Sequence, residues 1–204
     1  MSIVQVQLAN GLPRARSQGQ QNLLGERLGE LPVSEWLPRL YAMGWSGAIF
    51  SAANQAAQAV SVALAAAYTG IGIYNPPNSG VNLVPLKVKF ALSLAPAAIA
   101  PIGLIASWGS AGAASGLTKL TTQSGIIGNQ AAGAGIPVSG AALAPNPTWV
   151  EMLEDGFTAA ALPGPRGPYY MDGHLCVAPG GFLGVGALTA VTGLGSIFWA
   201  ELPI

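Results

Sequence analysis

From Trp45 onward, short apolar runs alternate with clusters of Gly, Pro, Asn and Ser, and each run has the length of a strand rather than a helix. Ala48-Ile49-Phe50-Ser51 comes first, then Ala59-Val60-Ser61-Val62-Ala63-Leu64. The Ala-rich run 52–67 also has helical propensity, but the β-branched alternation of Val60 and Val62 favours a strand. Residues 69–74 and 82–90 make two more strands, separated by the turn formers Asn75-Pro76-Pro77-Asn78-Ser79-Gly80. In the second of these, Leu86, Val88 and Phe90 alternate with Lys87 and Lys89, which predicts one core face and one polar face. Pro85 has no N–H to give to a ladder and predicts an edge position or a bulge.

A further strand is expected over 99–107, and the small-residue stretches 109–116 and 125–140 read as long loops. Glu151, Glu154 and Asp155, beside Trp149 and after Pro145-Asn146-Pro147, predict a single helical turn with a solvated face. The final third reads as three strands, 172–177, 182–187 and 195–203, with a turn at Thr192-Gly193, which predicts an antiparallel meander. Roughly eight strands at this spacing, with no sustained amphipathic helix, predict an all-β chain, a jelly-roll-like β-sandwich or barrel.

Residues 1–44 differ from the rest. Val4, Val6 and Leu8 alternate as a short strand, a Gln-rich loop follows, and Pro32 and Pro38 limit any helix to a turn or two. With little to build a core from, the segment reads as an extended N-terminal arm that docks on its own barrel or on a neighbouring subunit. The expected organisation is an arm, 1–44, and a jelly-roll-like barrel domain, 45–204. The arm holds Arg14, Arg16, Arg27 and Arg39 together with Glu26, Glu30 and Glu35.

Beyond the arm, charge almost disappears. No Asp or Glu occurs between Glu35 and Glu151, and the only charges in that stretch are Arg39, Lys87, Lys89 and Lys119. Charged residues make up 8% of the chain and hydrophobic residues 51%, against about 25% charged in an ordinary soluble domain. A surface this poor in charge is weakly protected against association, so coverage by other subunits is expected. The net charge is zero, which gives no field to hold nucleic acid or to steer an acidic substrate.

Residues 182–200 carry no charge over a span's length, but four glycines, two threonines and the absence of flanking Lys or Arg argue against a membrane helix. Residues 90–106 contain Pro96 and Pro101, which would interrupt a helix twice. The first residues lack a basic start followed by an apolar run, so synthesis in a cytoplasm without export is expected.

Candidate chemistry is sparse. Cys176 is the single cysteine and reads as a small buried apolar side chain. His174 is the single histidine; a Cys-His pair can be drawn with Cys176, but no orienting third group can be named. The Gly-rich segments lack the Lys-Ser/Thr ending of a phosphate loop, and the acids are too crowded for a split acid and base. Trp45, Trp108, Trp149 and Trp199 sit in apolar company and read as core or interface anchors. No catalytic residue, cofactor, metal, nucleic acid or membrane is expected.

The phrases Trp45-Ser46-Gly47-Ala48-Ile49-Phe50-Ser51-Ala52-Ala53-Asn54-Gln55, Tyr68-Thr69-Gly70, Tyr74 to Val84 and the ending Phe198-Trp199-Ala200-Glu201-Leu202-Pro203 resemble structural proteins of tailed bacteriophages. In that family a short arm precedes a β-barrel that assembles on the virion, often as a trimeric decoration or cement protein. The resemblance implies a non-enzymatic homotrimer on the capsid exterior, bound to the phage major capsid protein through arm residues Arg14, Arg16, Arg27, Trp36 and Arg39. The alternative on the same fold is a head-fibre or receptor- and glycan-binding virion protein.

Overall fold

The computed structural model describes residues 40–60, 64–128, 132–154, 168–171 and 173–204. The arm proper, with Arg14, Arg16, Arg27, Trp36 and Arg39, lies outside them. Leu40–Ile204 forms one compact unit, so residues 40–44, assigned above to the arm, belong to it. One helical turn, α1 (Tyr41–Trp45), leads into twelve strands: β1 (Ile49–Ala53), β2 (Gln58–Val60), β3 (Ala67–Tyr74), β4 (Val81–Leu92), β5 (Ile102–Trp108), β6 (Ala114–Lys119), β7 (Gln123–Ser124), β8 (Ile136–Leu143), β9 (Thr148–Glu154), β10 (Tyr169–Tyr170), β11 (Gly181–Ala187) and β12 (Val191–Pro203). One sheet has the order β10-β4-β12-β1-β7, with β2 also on β12; the other has the order β6-β8-β3-β11-β5-β9. All pairings are antiparallel. The protein is an all-β two-sheet sandwich, and the chain crosses between sheets at most connections.

The core follows from strand alternation. Ile73, Leu104 and Leu183 project between the sheets with Leu83, Val88, Ile197 and Trp199 from the opposite side. Trp199 is fully buried and stacks on Phe50 at 5.9 Å between centroids. An adjacent residue on each of the same strands, Tyr74, Ile105 and Phe182, faces the other way and joins a second cluster on the back of the β6-containing sheet.

Glycine makes that second cluster possible. A Cβ on Gly184 would meet Tyr68 Oη at 2.6 Å and Phe182 Cζ at 2.9 Å, and one on Gly72 would meet Phe182 Cζ at 2.7 Å. Gly103 and Gly186 lie in the same way beneath Trp149 and Ile105. Aromatic rings from neighbouring positions lie over the bare backbone, so β11 is buried along its whole length. Tyr68 and Phe182 meet edge to face at 4.8 Å, a geometry favoured by the ring quadrupoles.

Pro85 does sit at a bulge. The β4–β12 register passes from Phe198↔Lys87 to Trp199↔Pro85, leaving Leu86 as the extra residue. Val88 is buried and Phe90 packs on the core, as the alternation predicts, but Leu86 lines a groove with Lys87 and Phe198. Among the described residues of 52–67, strands rather than a helix are found, the second over Gln58–Val60, and 61–63 lie outside the described residues.

Several expectations are corrected. The last turn falls at residues 188–190, where Leu188 N–H donates to Pro101 O and Thr189 Oγ1 donates to Ile99 O. Gly193 is instead paired inside β12, where a Cβ would collide with the Ala91 carbonyl oxygen; close strand approach, not a turn, requires glycine there. The terminal strands form no meander, because β11 and β12 lie in different sheets. Glu151 and Glu154 lie in strand β9 rather than a helical turn, its β-forming Trp149 and Val150 continuing the sheet beyond β5, and Asp155 lies outside the described residues. Both small-residue stretches contribute strands, β6 and β8.

Candidate interaction surface

The outer side of the β4–β12–β1 sheet carries a groove of about 290 Å³, lined by Leu40, Gly44, Ile49, Leu86, Lys87, Gly125, Tyr170 and Phe198. Each wall has a local cause. Gly44 N–H donates to Leu40 O at 2.9 Å and closes α1, and Gly47, at φ 74°, turns the chain into β1. Because Phe50 points into the core, Ile49 points out. The Pro85 bulge brings Leu86 beside Lys87, and Tyr170 pairs opposite Lys87 at the end of the sheet.

Exposed large side chains follow several of the lining residues in sequence. Tyr41 and Trp45, four residues apart on α1, stack at 6.2 Å and 17°. Trp45 is 58% exposed and Tyr170 68%, with Ile127 at 89% in the turn after β7. Lys87 Nζ lies 4.3 Å from the Phe198 ring centroid, a cation–π contact that keeps the amine over an apolar surface. Lys89 is the exposed lysine of this strand. Among the described residues no carboxylate lines the groove.

Of the five tryptophans, Trp199 is a core residue, Trp149 is half-buried, Trp45 and Trp108 are exposed, and Trp36 lies outside the described residues. Tyr41, Tyr170, Ile49 and Phe198 were not singled out from the sequence. Their signals were the i, i+4 spacing of Tyr41 with Trp45 and the Tyr169-Tyr170 doublet.

The Cys-His pair does not form a nucleophile. His174 is no strand residue; its Nε2 lies 3.1 Å from Glu151 Oε2 on the surface. Val177 is bound into the fold by Leu83, with N–H to O distances of 3.0 and 2.8 Å, so Cys176 beside it is turned outward and is exposed, not buried as expected. Partial desolvation pushes its thiol above the ordinary value, the opposite of the shift that activates a cysteine. Among the described residues no group of three His, Cys, Asp or Glu could hold a metal ion, and no helix is long and apolar enough to cross a membrane.

No family model, curated protein or solved structure matches this chain, so its function is argued from its own residues.

Proposed function

We propose that this chain is a non-enzymatic structural protein that self-associates through the outer face of the β4–β12–β1 sheet and decorates or cements a phage capsid from the outside. The observation that carries the proposal is the groove itself. Among the described residues Ile49, Leu86, Tyr170 and Phe198 line it with one charge, Lys87, and the exposed Tyr41, Trp45 and Ile127 closely follow lining residues in sequence, in a protein with 8% charged residues. Exposed aromatic side chains around a desolvated centre are the composition of subunit interfaces. The groove lining has no like-charged array to repel its own copy, since its one charge, Lys87, already lies over Phe198. The phage-like phrases in the sequence and the arm supply the capsid part of the reading.

Light scattering on the detergent-free protein tests the first step. A species of about three times 20.5 kDa is expected, and Trp45→Asp with Tyr170→Asp should reduce it to monomer without altering the circular dichroism. A wild-type monomer at high concentration overturns self-association. Co-sedimentation with undecorated capsids tests the second step, and a trimer that never binds them restricts the protein to an assembly other than a capsid.

A further inference from the structure

A second depression lies elsewhere on the sandwich, where the ends of β5, β9 and β11 meet the segment 175–178, and it encloses about 400 Å³. Its floor is apolar, with Ala106, Val177 and Leu183 from the main core. Trp108, Asn146 and Thr148 stand at its edge.

Three properties narrow what would fit. Trp108 is 59% exposed, and its Nε1–H is already donated to Pro179 O at 3.2 Å. The indole is thereby fixed as a platform that offers a flat carbon face. Among the described residues nothing bonds to the side chains of Asn146 or Thr148, and both are exposed. They offer a carboxamide donor, a carboxamide acceptor and a hydroxyl. Finally, no charged residue among the described residues lines the depression, so these offer nothing to neutralise a phosphate, sulfate or carboxylate.

We infer that this depression is a binding site for a neutral saccharide of one or two rings. A pyranose has a face of C–H groups that packs on an aromatic ring and a perimeter of hydroxyls that are both donors and acceptors. The depression presents the counterpart of each, and its volume falls in the ordinary range of small-ligand sites, about 300–1,000 Å³. Ser107, also in the lining, supports the site: its hydroxyl is donated to Pro145 O at 2.6 Å, which fixes the loop that carries Asn146. The site is separate from the groove assigned to self-association, so either can stand without the other.

Tryptophan fluorescence and saturation-transfer NMR on the full chain test this with glucose, galactose, mannose, N-acetylglucosamine and their homodisaccharides. At least one sugar is expected to bind saturably. Trp108→Ala and Asn146→Ala should each weaken it by about tenfold, the size expected for losing a ring face or a pair of hydrogen bonds. Trp108→Phe should keep most of the affinity. Trp108 and Asn146 are exposed, so these variants should fold, and circular dichroism checks that they do. No saturable binding to any sugar of the panel, binding unaffected by Trp108→Ala, or tighter binding of sugar phosphates than of the parent sugars would each overturn the inference.

Discussion

Glu201 holds more backbone than any other carboxylate of the described residues. Its Oε1 accepts from Gly135 N–H at 2.9 Å and Trp199 Nε1–H at 3.1 Å, and its Oε2 accepts from Ala134 N–H at 2.9 Å. The side chain therefore ties the segment before β8 to β12 and orients the central tryptophan. Glu201→Ala leaves three donors without partners and should cost about 2–4 kcal/mol in urea unfolding, with Glu201→Gln less damaging because one amide oxygen can still accept. Tyr68 makes a different demand. Burial pushes its phenol far above the ordinary value of 10.0, while the hydroxyl donates to Ile71 O at 2.6 Å. Above pH 10 the unfolded chain loses this proton and the fold keeps it, so the stability from Tyr68 is complete below pH 10 and falls as pH rises, by about 1.4 kcal/mol per pH unit. Thermal melts from pH 8 to 11 should show the decline, and Tyr68→Phe should remove one tyrosine's share, leaving that of Tyr74, which burial also raises.

At the scale of elements, the back of the β6-containing sheet depends on paired choices of glycine and aromatic residue. Gly184→Ala places a methyl against Tyr68 and Phe182, both buried in a packed cluster that cannot retreat. A loss of about 1–3 kcal/mol is expected, with a changed near-UV circular dichroism from the disturbed rings; an unchanged melting temperature would show that the rings yield freely. Glycine in a sequence carries two messages, a turn or a close approach, and the chain uses both. Gly47 and Gly80 have positive φ with open space around them, and they lie where turns were expected. Gly193 has ordinary φ and a crowded Cβ position, and reading it as a turn misplaced the boundary between β11 and β12.

For the whole molecule, the charged residues 1–39 and the nearly uncharged sandwich predict a division of labour. Removing residues 1–39 should leave the melting transition of the sandwich unchanged and abolish attachment to capsids; attachment by the truncated chain would move that role to the sandwich itself. The all-β class, the bulge at Pro85 and the buried face of Val88 were legible along the chain, because each rests on local alternation or backbone chemistry. The groove and the sugar-sized depression were not. Ile49, Lys87, Tyr170 and Phe198 share a surface only because β1 and β4 both pair with β12 and β10 pairs with β4, and a period of two tells a residue's face but not its neighbour. The sequence by itself determined strands, turns and a composition poor in charge; only the tertiary structure decided which strands meet, since strand pairing is settled by packing between segments distant in the chain, such as β1 and β12.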